Sequence, residues 1–429
     1  MRVLLRTFGC RANQYDSEQI RALCEGADVE VVESGDADVA VLNSCAVTRD
    51  AEADLRQAVR RIARERPGTR VIVTGCAAAR SGAEIAALPG VSHVIAGADL
   101  AAVAIALDAP LGAQRGAPLT LLARAPRQST ARATLRVQDG CDEHCTFCAT
   151  TLARGAHRSR GVVELVAEAR ALAEHHPEIV LTGVHVGSWG REHGTTIGAL
   201  VTALVRGVPD VRFRLASVEA TEVDAELAEW LRDGGMRVCP YLHAPLQSAS
   251  DAVLKRMGRH WYTAGDYARA IEKLTDGRAV FGLGADVMAG FPGETDADHA
   301  ETIALVHALP FTHLHVFPYS PRPGTAADRL GAPVPPQVTH ARAAELRELA
   351  VTKSATYAAT RVGATADVVV IGAAPTPDPN RPLRKALTQD YLEVRLEGAQ
   401  ARGTRLCARL HAEMEATSLP PHAPLSAHP

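Results

Sequence analysis

The sequence predicts an α/β protein in three parts: an N-terminal open parallel α/β sheet, a central (β/α) partial barrel and a small C-terminal β-barrel. Three observations carry this reading. Apolar strand-like runs alternate with helically spaced segments over the first hundred residues. Six further runs alternate with helical segments between residues 132 and 319. Beyond residue 360 the pattern changes to short strands and turns. At 429 residues the chain is long enough for roughly two to four domains. A hydrophobic content of 47% with 22% charged residues excludes long disorder and fibrous repeats. The formal net charge of -3 means that any nucleic-acid site has to be a local patch, and an aromatic content of 4% leaves few stacking platforms.

Taken in order, VLLRTF, VEVVES, VAVLNS and VIVTG read as buried strands, with helices over residues 14–26 and 48–66. The most apolar stretch, AGADLAAVAIALDAPLGA, carries Asp99 and Asp108 and is too short between them to span a bilayer. Arg6 interrupts the N-terminal apolar run, so no signal peptide is expected and the protein reads as cytoplasmic, with no membrane partner. The N-terminal domain is placed at 1–110. A linker rich in Ala, Pro, Gly and Arg follows at 111–132. The runs RATLRVQ, EIVLTGV, VRFRLAS, YLHAPL, VFGLGADVMA and HLHVFPY supply the six strands of the partial barrel, placed at 133–335. A connecting helix at 336–360 leads to the small barrel at 361–413, built from ADVVVIG, KALTQDYLEVRLEG and TRLCARL, and then to a tail at 414–429.

Nine cysteines, an odd number in a chain read as cytosolic, point to metal binding more than to disulfides. Cys10, Cys45 and Cys76 each stand directly after a strand, where ligands of open α/β sheets gather, so they form either a shared metal site or separate core thiols. Directly after the first barrel strand, GCDEHCTFC places Cys141, Cys145 and Cys148 at C-x3-C-x2-C spacing. Three thiolates in one loop match three irons of a [4Fe-4S] cubane and leave one iron open. A zinc site completed by His144 or His157 is the alternative. Phe147 fits the cluster reading as an apolar shield, and Cys24, Cys239 and Cys407 are assigned to packing.

The loop, the barrel and the three N-terminal cysteines together resemble the radical S-adenosylmethionine methylthiotransferase family. The strings TFGCRANQYDSE, NSCAVT, VTGCAA, GCDEHCTFC, RGAHRSR, LTGVHVGSWG, LHAPLQSASDAVLKRMGR, GFPGET and HVFPYSPRPGT carry the likeness through nearly the whole chain. The resemblance implies a radical-generating [4Fe-4S] cluster on Cys141, Cys145 and Cys148, an auxiliary [4Fe-4S] cluster on Cys10, Cys45 and Cys76, and a C-terminal barrel similar to the RNA-binding TRAM domain. It also implies S-adenosyl-L-methionine as both radical source and methyl donor, tRNA as substrate, an external flavodoxin- or ferredoxin-like electron donor and a sulfur source. NQYDSE, LTGVHVGSWG and FPYSPRPGT most resemble the branch that methylthiolates C2 of N6-threonylcarbamoyladenosine beside the anticodon. The alternatives are the same chemistry on N6-isopentenyladenosine or ribosomal protein S12, or a non-catalytic RNA-binding protein with structural zinc. One departure from the family stands after Cys148, where ATTLARG replaces the usual aliphatic residues and Pro-Tyr.

Further candidates are less specific. Gly284, Gly290, Gly293 and Glu294, with Ser217 and Gln247 at strand ends, are expected beside the cofactor or in ordinary turns. Arg124 to Arg160 holds seven arginines against three acids, so Arg154, Arg158 and Arg160 are candidates for phosphate contact, with a solvated basic face as the alternative. Arg384, Lys385 and Tyr391 are expected to add backbone contact and stacking in the small barrel, or Tyr391 to lie in its core. His185, His243, His313 and His315 are read as packed or hydrogen-bonded.

Overall fold

The computed structural model describes residues 1–45, 49–108, 127–375 and 380–419; most of the expected linker, Arg124 and the last ten residues of the expected tail lie outside them. The first part runs β1 (Arg2–Phe8), α1 (Arg11–Gly26), β2 (Glu30–Val32), β3 (Val39–Ser44), α2 (Arg49–Glu65), β4 (Arg70–Gly75), α3 (Cys76–Ala86), β5 (Val91–Ala96) and α4 (Leu100–Ala106). Its sheet is parallel throughout, in the order β2-β1-β3-β4-β5. Because strand side chains alternate in direction, Val3, Leu5, Val39, Val41 and Ile72 pack with Ile20, Leu23 and Val103 on the α1 and α4 face. Leu4, Ala40, Leu42, Val71 and Val73 pack with Leu55, Val59 and Ile85 on the α2 and α3 face. Burial on both faces is why these strands read as unbroken apolar runs. Sequence reasoning did not foresee β5, whose VSHVIA pattern is interrupted by Ser92 and His93 and largely exposed at the sheet edge.

The middle part runs β6 (Ala133–Arg136), β7 (Gln138–Asp139), α5 (Thr150–Arg154), β8 (Arg158–Ser159), α6 (Val162–Ala173), β9 (Glu178–Thr182), α7 (Ile197–Gly207), β10 (Arg212–Leu215), α8 (Ala225–Asp233) and β11 (Tyr241–His243). It continues through α9 (Asp251–Arg256), α10 (Ala264–Thr275), β12 (Gly282–Ala289), α11 (Asp296–Ala308) and β13 (His313–Pro318). The six longer parallel strands form two sheets, β10-β9-β6 and β11-β12-β13. Parallel bridges between Phe213 and Val238 and between Ser217 and His243 join them into one curved wall, the partial barrel expected from the sequence. Leu135, Leu181, Phe213, Leu215, Leu283, Ala285 and Val287 face the helical layer and form the largest core. The alternate residues, among them Arg136, Glu178, Arg214, His243, Asp286 and His315, therefore line the inner face. Thr263 and Thr295 begin α10 and α11 with reciprocal capping boxes, which fixes where those helices leave their loops.

The chain then follows α12 (Pro336–Thr360) into β14 (Thr365–Ala373), β15 (Leu383–Thr388), β16 (Glu393–Glu397), β17 (Arg405–Leu410) and β18 (Glu415–Ser418). These strands close a barrel in the order β14-β15-β16-β18-β17 around Val368, Val370, Val394, Leu396 and Leu410. The barrel runs past the boundary expected at residue 413: β18 lies within the segment assigned to the tail. EATS is too short and polar to announce a strand, yet pairing with β16 and β17 is what closes the ring.

The small barrel is seated on the inner face of the partial barrel by buried charge. Glu178, fully buried, accepts from Arg212 and Arg214, which are equally buried. Arg212 also bonds Asp367 in β14, and Arg214 donates to the carbonyls of Thr388 and Gln389 at 2.9 and 3.1 Å. Gly282 admits the turn that follows: a Cβ there would lie 2.2 Å from the carbonyl oxygen of Asp390. Among the described residues no helix is long and apolar enough to cross a membrane.

Candidate active site

The N-terminal cysteines meet because three parallel strands end side by side. Ser44 pairs with Phe8 of β1 and with Gly75 of β4, so Cys10, Cys45 and Cys76 leave the sheet at one level. Gly9 makes the approach close: its φ is +123°, and a Cβ at this position would lie 2.1 Å from the Cβ of Cys45. A hydrogen bond with Cys45 lowers the Cys10 thiol to about 6, against burial. Burial raises Cys76, opposed by Arg154. Beneath them, Cys10 Sγ lies 3.2 Å from Asn13 Oδ1, and Asn13 Nδ2 donates to Asn43 Oδ1 at 2.8 Å. These buried amides tie the start of α1 to β3.

Cys141, Cys145 and Cys148 follow β6 and β7 in a loop at the carboxyl ends of the barrel strands. Cys141 Sγ lies 3.6 Å from His185 Nδ1, and His185 Nε2 lies 2.9 Å from Glu222. Burial opposes the charge on His185, but its bonds to Cys141 and Glu222 hold it up at about 10. Cys145 Sγ accepts from Arg259 at 3.5 Å, although burial pushes its thiol up to about 12. Arg259 is in turn held by Glu219, which also accepts from Trp261 Nε1 at 2.9 Å. The Cys148 amide donates to the Cys145 carbonyl at 3.1 Å, closing the loop. Phe147 packs edge-on to Phe291 beside Met288 and Tyr319, the apolar cover its position in the motif suggested.

The donor chemistry of both sets fits a cubane. Each offers three thiols from one wall, with N–H donors from Arg154, Arg259 and His185 turned toward sulfur, and hydrogen bonds to sulfur are what a thiolate cluster accepts. His144 and His157, the residues considered for completing a zinc site, do not share this arrangement equally. His157 is committed to Gln138, Ser159, Ser188 and Glu192.

The other expected site residues divide. Ser217 and Gln247 stand at strand ends, bridged to His243 and Val287; Gln247, with φ +64°, bonds the backbone of Asp286 and Met288. Gly284 lies under His313 and His243 on the inner face. Gly290 faces Thr339 of α12 and Gly293 faces Arg256, where a Cβ would lie 2.2 and 2.4 Å from those side chains. Glu294 accepts from the Gly290 amide and pairs with Arg342 at 3.4 Å, which closes that turn and leaves its carboxylate engaged. Arg154 and Arg160 are not on a phosphate-facing surface. Arg154 is buried against Cys76, Asp16 and Asp139, and Arg160 against Tyr15, Glu164 and Glu168. Their acidic partners sit far away in sequence or on the next helix, which a count of charges along the chain cannot register. Arg158 is exposed as expected, and Lys385 is half exposed beside Glu393 at 3.1 Å. Arg384 is half-buried within β15. Tyr391 stacks on Tyr241 and His313, with ring centroids 4.5 and 5.1 Å away, and accepts from Arg11 at 3.0 Å, so it is neither a free stacking surface nor core of its own barrel. Cys24 and Cys239 are buried in packing, while Cys407 is half-buried on β17. His243 and His315 lie 3.1 and 3.4 Å from Asp286, a hydrogen-bonded group on the inner face. His185, read as packed or hydrogen-bonded, is bonded to Cys141 and Glu222, whereas Glu222, Arg259 and Asp16 were missed, since nothing local in sequence links them to the cysteine sets.

Residues 2–97 match the family model described as uncharacterized protein family UPF0004, and residues 135–306 match the Radical SAM superfamily. The threonylcarbamoyladenosine tRNA methylthiotransferase MtaB of Thermotoga maritima is 35% identical over 83% of this chain and 83% of its own length. The enzyme of the same name from Bacillus subtilis is 36% identical, over 79% and 78%. The tRNA-2-methylthio-N(6)-dimethylallyladenosine synthase of Erythrobacter litoralis is 32% identical over 85% of each chain. Among solved structures, the radical S-adenosylmethionine methyltransferase TsrM of Kitasatospora setae superposes with a TM-score of 0.55 at 16% identity, over 76% of each chain, a likeness of fold. The cysteine loop at the carboxyl ends of a partial barrel, the second cysteine set beside it and relatives spanning four fifths of the sequence agree: the chain belongs to the radical S-adenosylmethionine methylthiotransferase family, enzymes of [4Fe-4S] and S-adenosylmethionine chemistry.

Proposed function

We propose that this enzyme inserts sulfur and a methyl group at C2 of N6-threonylcarbamoyladenosine next to the anticodon of tRNA. In this reading Cys141, Cys145 and Cys148 hold the radical-generating cluster, and Cys10, Cys45 and Cys76 hold a second, sulfur-delivering one. The observation that carries it is that the loop holding one three-cysteine set continues into Arg154, which donates to Cys76 of the other set, in a chain whose relatives include several named for this nucleoside. When bound, the barrel cluster and S-adenosylmethionine supply a radical able to take hydrogen from an unactivated ring carbon, so the hard chemistry is the cofactor's.

The protein's own part is placement and exclusion. Phe147, Phe291 and Met288 give the cysteine loop an apolar flank, while His185 and Arg259 orient two of its sulfurs. Arg158 and Lys385, both reaching solvent, suit phosphate contact, and the closed small barrel suits the TRAM-like role. An external flavodoxin- or ferredoxin-like donor would supply electrons, and a separate source the sulfur.

The test is mass spectrometry of tRNA nucleosides from a strain lacking the gene and from the same strain with it restored. The expected result is loss of the 2-methylthio form of threonylcarbamoyladenosine, with the unmethylthiolated nucleoside accumulating. Loss of methylthiolated isopentenyladenosine instead, or an unmodified ribosomal protein S12, would assign the chemistry to the other acceptor.

A further inference from the structure

We infer that Arg154 is a positioning residue of the second cluster, a cation sent across from the radical-site loop to hold the Cys76 thiolate and raise the reduction potential of the cluster bound there. This rests on the assignment of Cys10, Cys45 and Cys76 to that cluster. Arg154 ends α5, the short helix that begins two residues after Cys148, so one loop carries the barrel cysteines and delivers a guanidinium to the neighbouring domain. Its Nε donates to Cys76 Sγ at 3.2 Å, and its side chain is 6% exposed, so water does not compete. The other two nitrogens are fixed from behind. Nη2 donates to Asp16 at 2.6 Å and Nη1 to Asp139 at 3.1 Å, which aims the remaining N–H at sulfur. Arg136 bonds both of those carboxylates and Arg158 lies 4.0 Å from Asp139, so three arginines stand about two carboxylates before any cluster is counted. The planar fork spreads its donors over three nitrogens in fixed directions, whereas a lysine's three donors all leave one compact ammonium.

A cubane on three thiolates is already an anion, and reduction adds negative charge. A buried cation bonded to a ligand sulfur stabilises the reduced form more than the oxidised one, which raises the potential. Replacing Arg154 with a neutral residue removes the cation bonded to Cys76 and leaves Asp16 and Asp139 to Arg136 and the exposed Arg158, so the cluster would lose its donor and one buried positive charge. Asp139 competes with the cluster for the guanidinium, so neutralising it acts in the opposite sense.

The experiment is anaerobic redox titration of the reconstituted enzyme, followed by electron paramagnetic resonance with and without S-adenosylmethionine, which perturbs only the signal of the cluster it binds. For the signal that S-adenosylmethionine leaves alone, Arg154→Met is expected to lower the reduced-to-oxidised ratio at fixed potential at least tenfold, about 59 mV for a one-electron couple. Arg154→Lys is expected to fall between Met and the parent, and Asp139→Asn to shift the other way, while the sensitive signal keeps its potential. An unmoved midpoint in Arg154→Met with iron retained would overturn the inference. If that variant assembles no second cluster, Arg154→Lys and Asp139→Asn decide it: shifts of the same sign, or none, would overturn it. A parent enzyme with about four irons instead of about eight would refute the cluster assignment itself, a separate result.

Discussion

Replacing Glu178 with Gln keeps the shape of the side chain and removes the one carboxylate shared by Arg212, Arg214 and Arg132. Burial opposes ionisation of Glu178, but Arg214 and then Arg212 hold it well below the usual carboxylate range, so the charge is present in the native state. After the substitution Arg212 keeps Asp367 at 2.8 Å. Arg214 keeps two carbonyls and the faces of Tyr241 and Tyr391, 5.2 and 5.3 Å away, but no carboxylate. Its guanidinium is 0% exposed, so one cation is left buried without a counter-charge, a situation that costs about 3–5 kcal/mol. A solvent-exposed pair would cost no more than about 1 kcal/mol. The three tryptophans, Trp189, Trp230 and Trp261, all lie in the middle domain, so their fluorescence in urea reports its unfolding selectively. With a slope of about 2–3 kcal/mol per molar urea, the midpoint is expected to fall by about 1–2.5 M. A fall below about 0.3 M would mean that the network does not hold the domain as argued.

Further outcomes follow from other parts of the molecule. Burial lowers His313 to about 3, so between its unfolded value near 6.5 and pH 3 only the unfolded chain takes up this proton; stability is expected to decline with falling pH at about 1.4 kcal/mol per pH unit. His313→Gln should remove that part of the slope, and an unchanged pH profile in urea melts would refute it. Gly9→Ala, with its Cβ inside the contact distance of Cys45, is expected to lose half the iron while keeping reductive cleavage of S-adenosylmethionine; full iron content would contradict the packing argument. Replacing Cys141, Cys145 and Cys148 with alanine should halve the iron and abolish 5′-deoxyadenosine formation, and any reductive cleavage that survives would sink the radical-site assignment. Arg158→Ala should weaken tRNA binding alike for all sequences and lower the salt slope by about 1, whereas Arg154→Ala should not act through phosphate contact. Filter binding at several salt concentrations separates the two.

Much of the architecture was legible because strands buried on both faces must be continuously apolar, and the cysteines that end three of them are forced to one rim by parallel topology. The C-x3-C-x2-C loop was legible because its three cysteines are local. What escaped was everything that depends on a partner far along the chain. Arg259 reaches Cys145 across 114 residues, and Asp16 reaches Arg154 across 138, so neither pairing leaves a spacing to read. Arg154 and Arg160 looked like surface charge because composition records a sign and not an environment. Tyr391 sits in a left-handed turn, φ +73°, and its stacking partner Tyr241 belongs to another domain. β5 and β18 were hidden for a different reason: edge and closing strands carry sequences broken by polar residues that pairing, more than periodicity, turns into structure.

The central claim is that two cysteine sets divide the labour, one making the radical and the other delivering sulfur. Its most direct measurement is the variant with Cys10, Cys45 and Cys76 all replaced by alanine, assayed anaerobically with tRNA for 5′-deoxyadenosine, methylthiolated nucleoside and iron in the same sample. The account predicts about half the parent's iron, continued reductive cleavage of S-adenosylmethionine and no methylthio product. Methylthiolated nucleoside accumulating in that sample would contradict it.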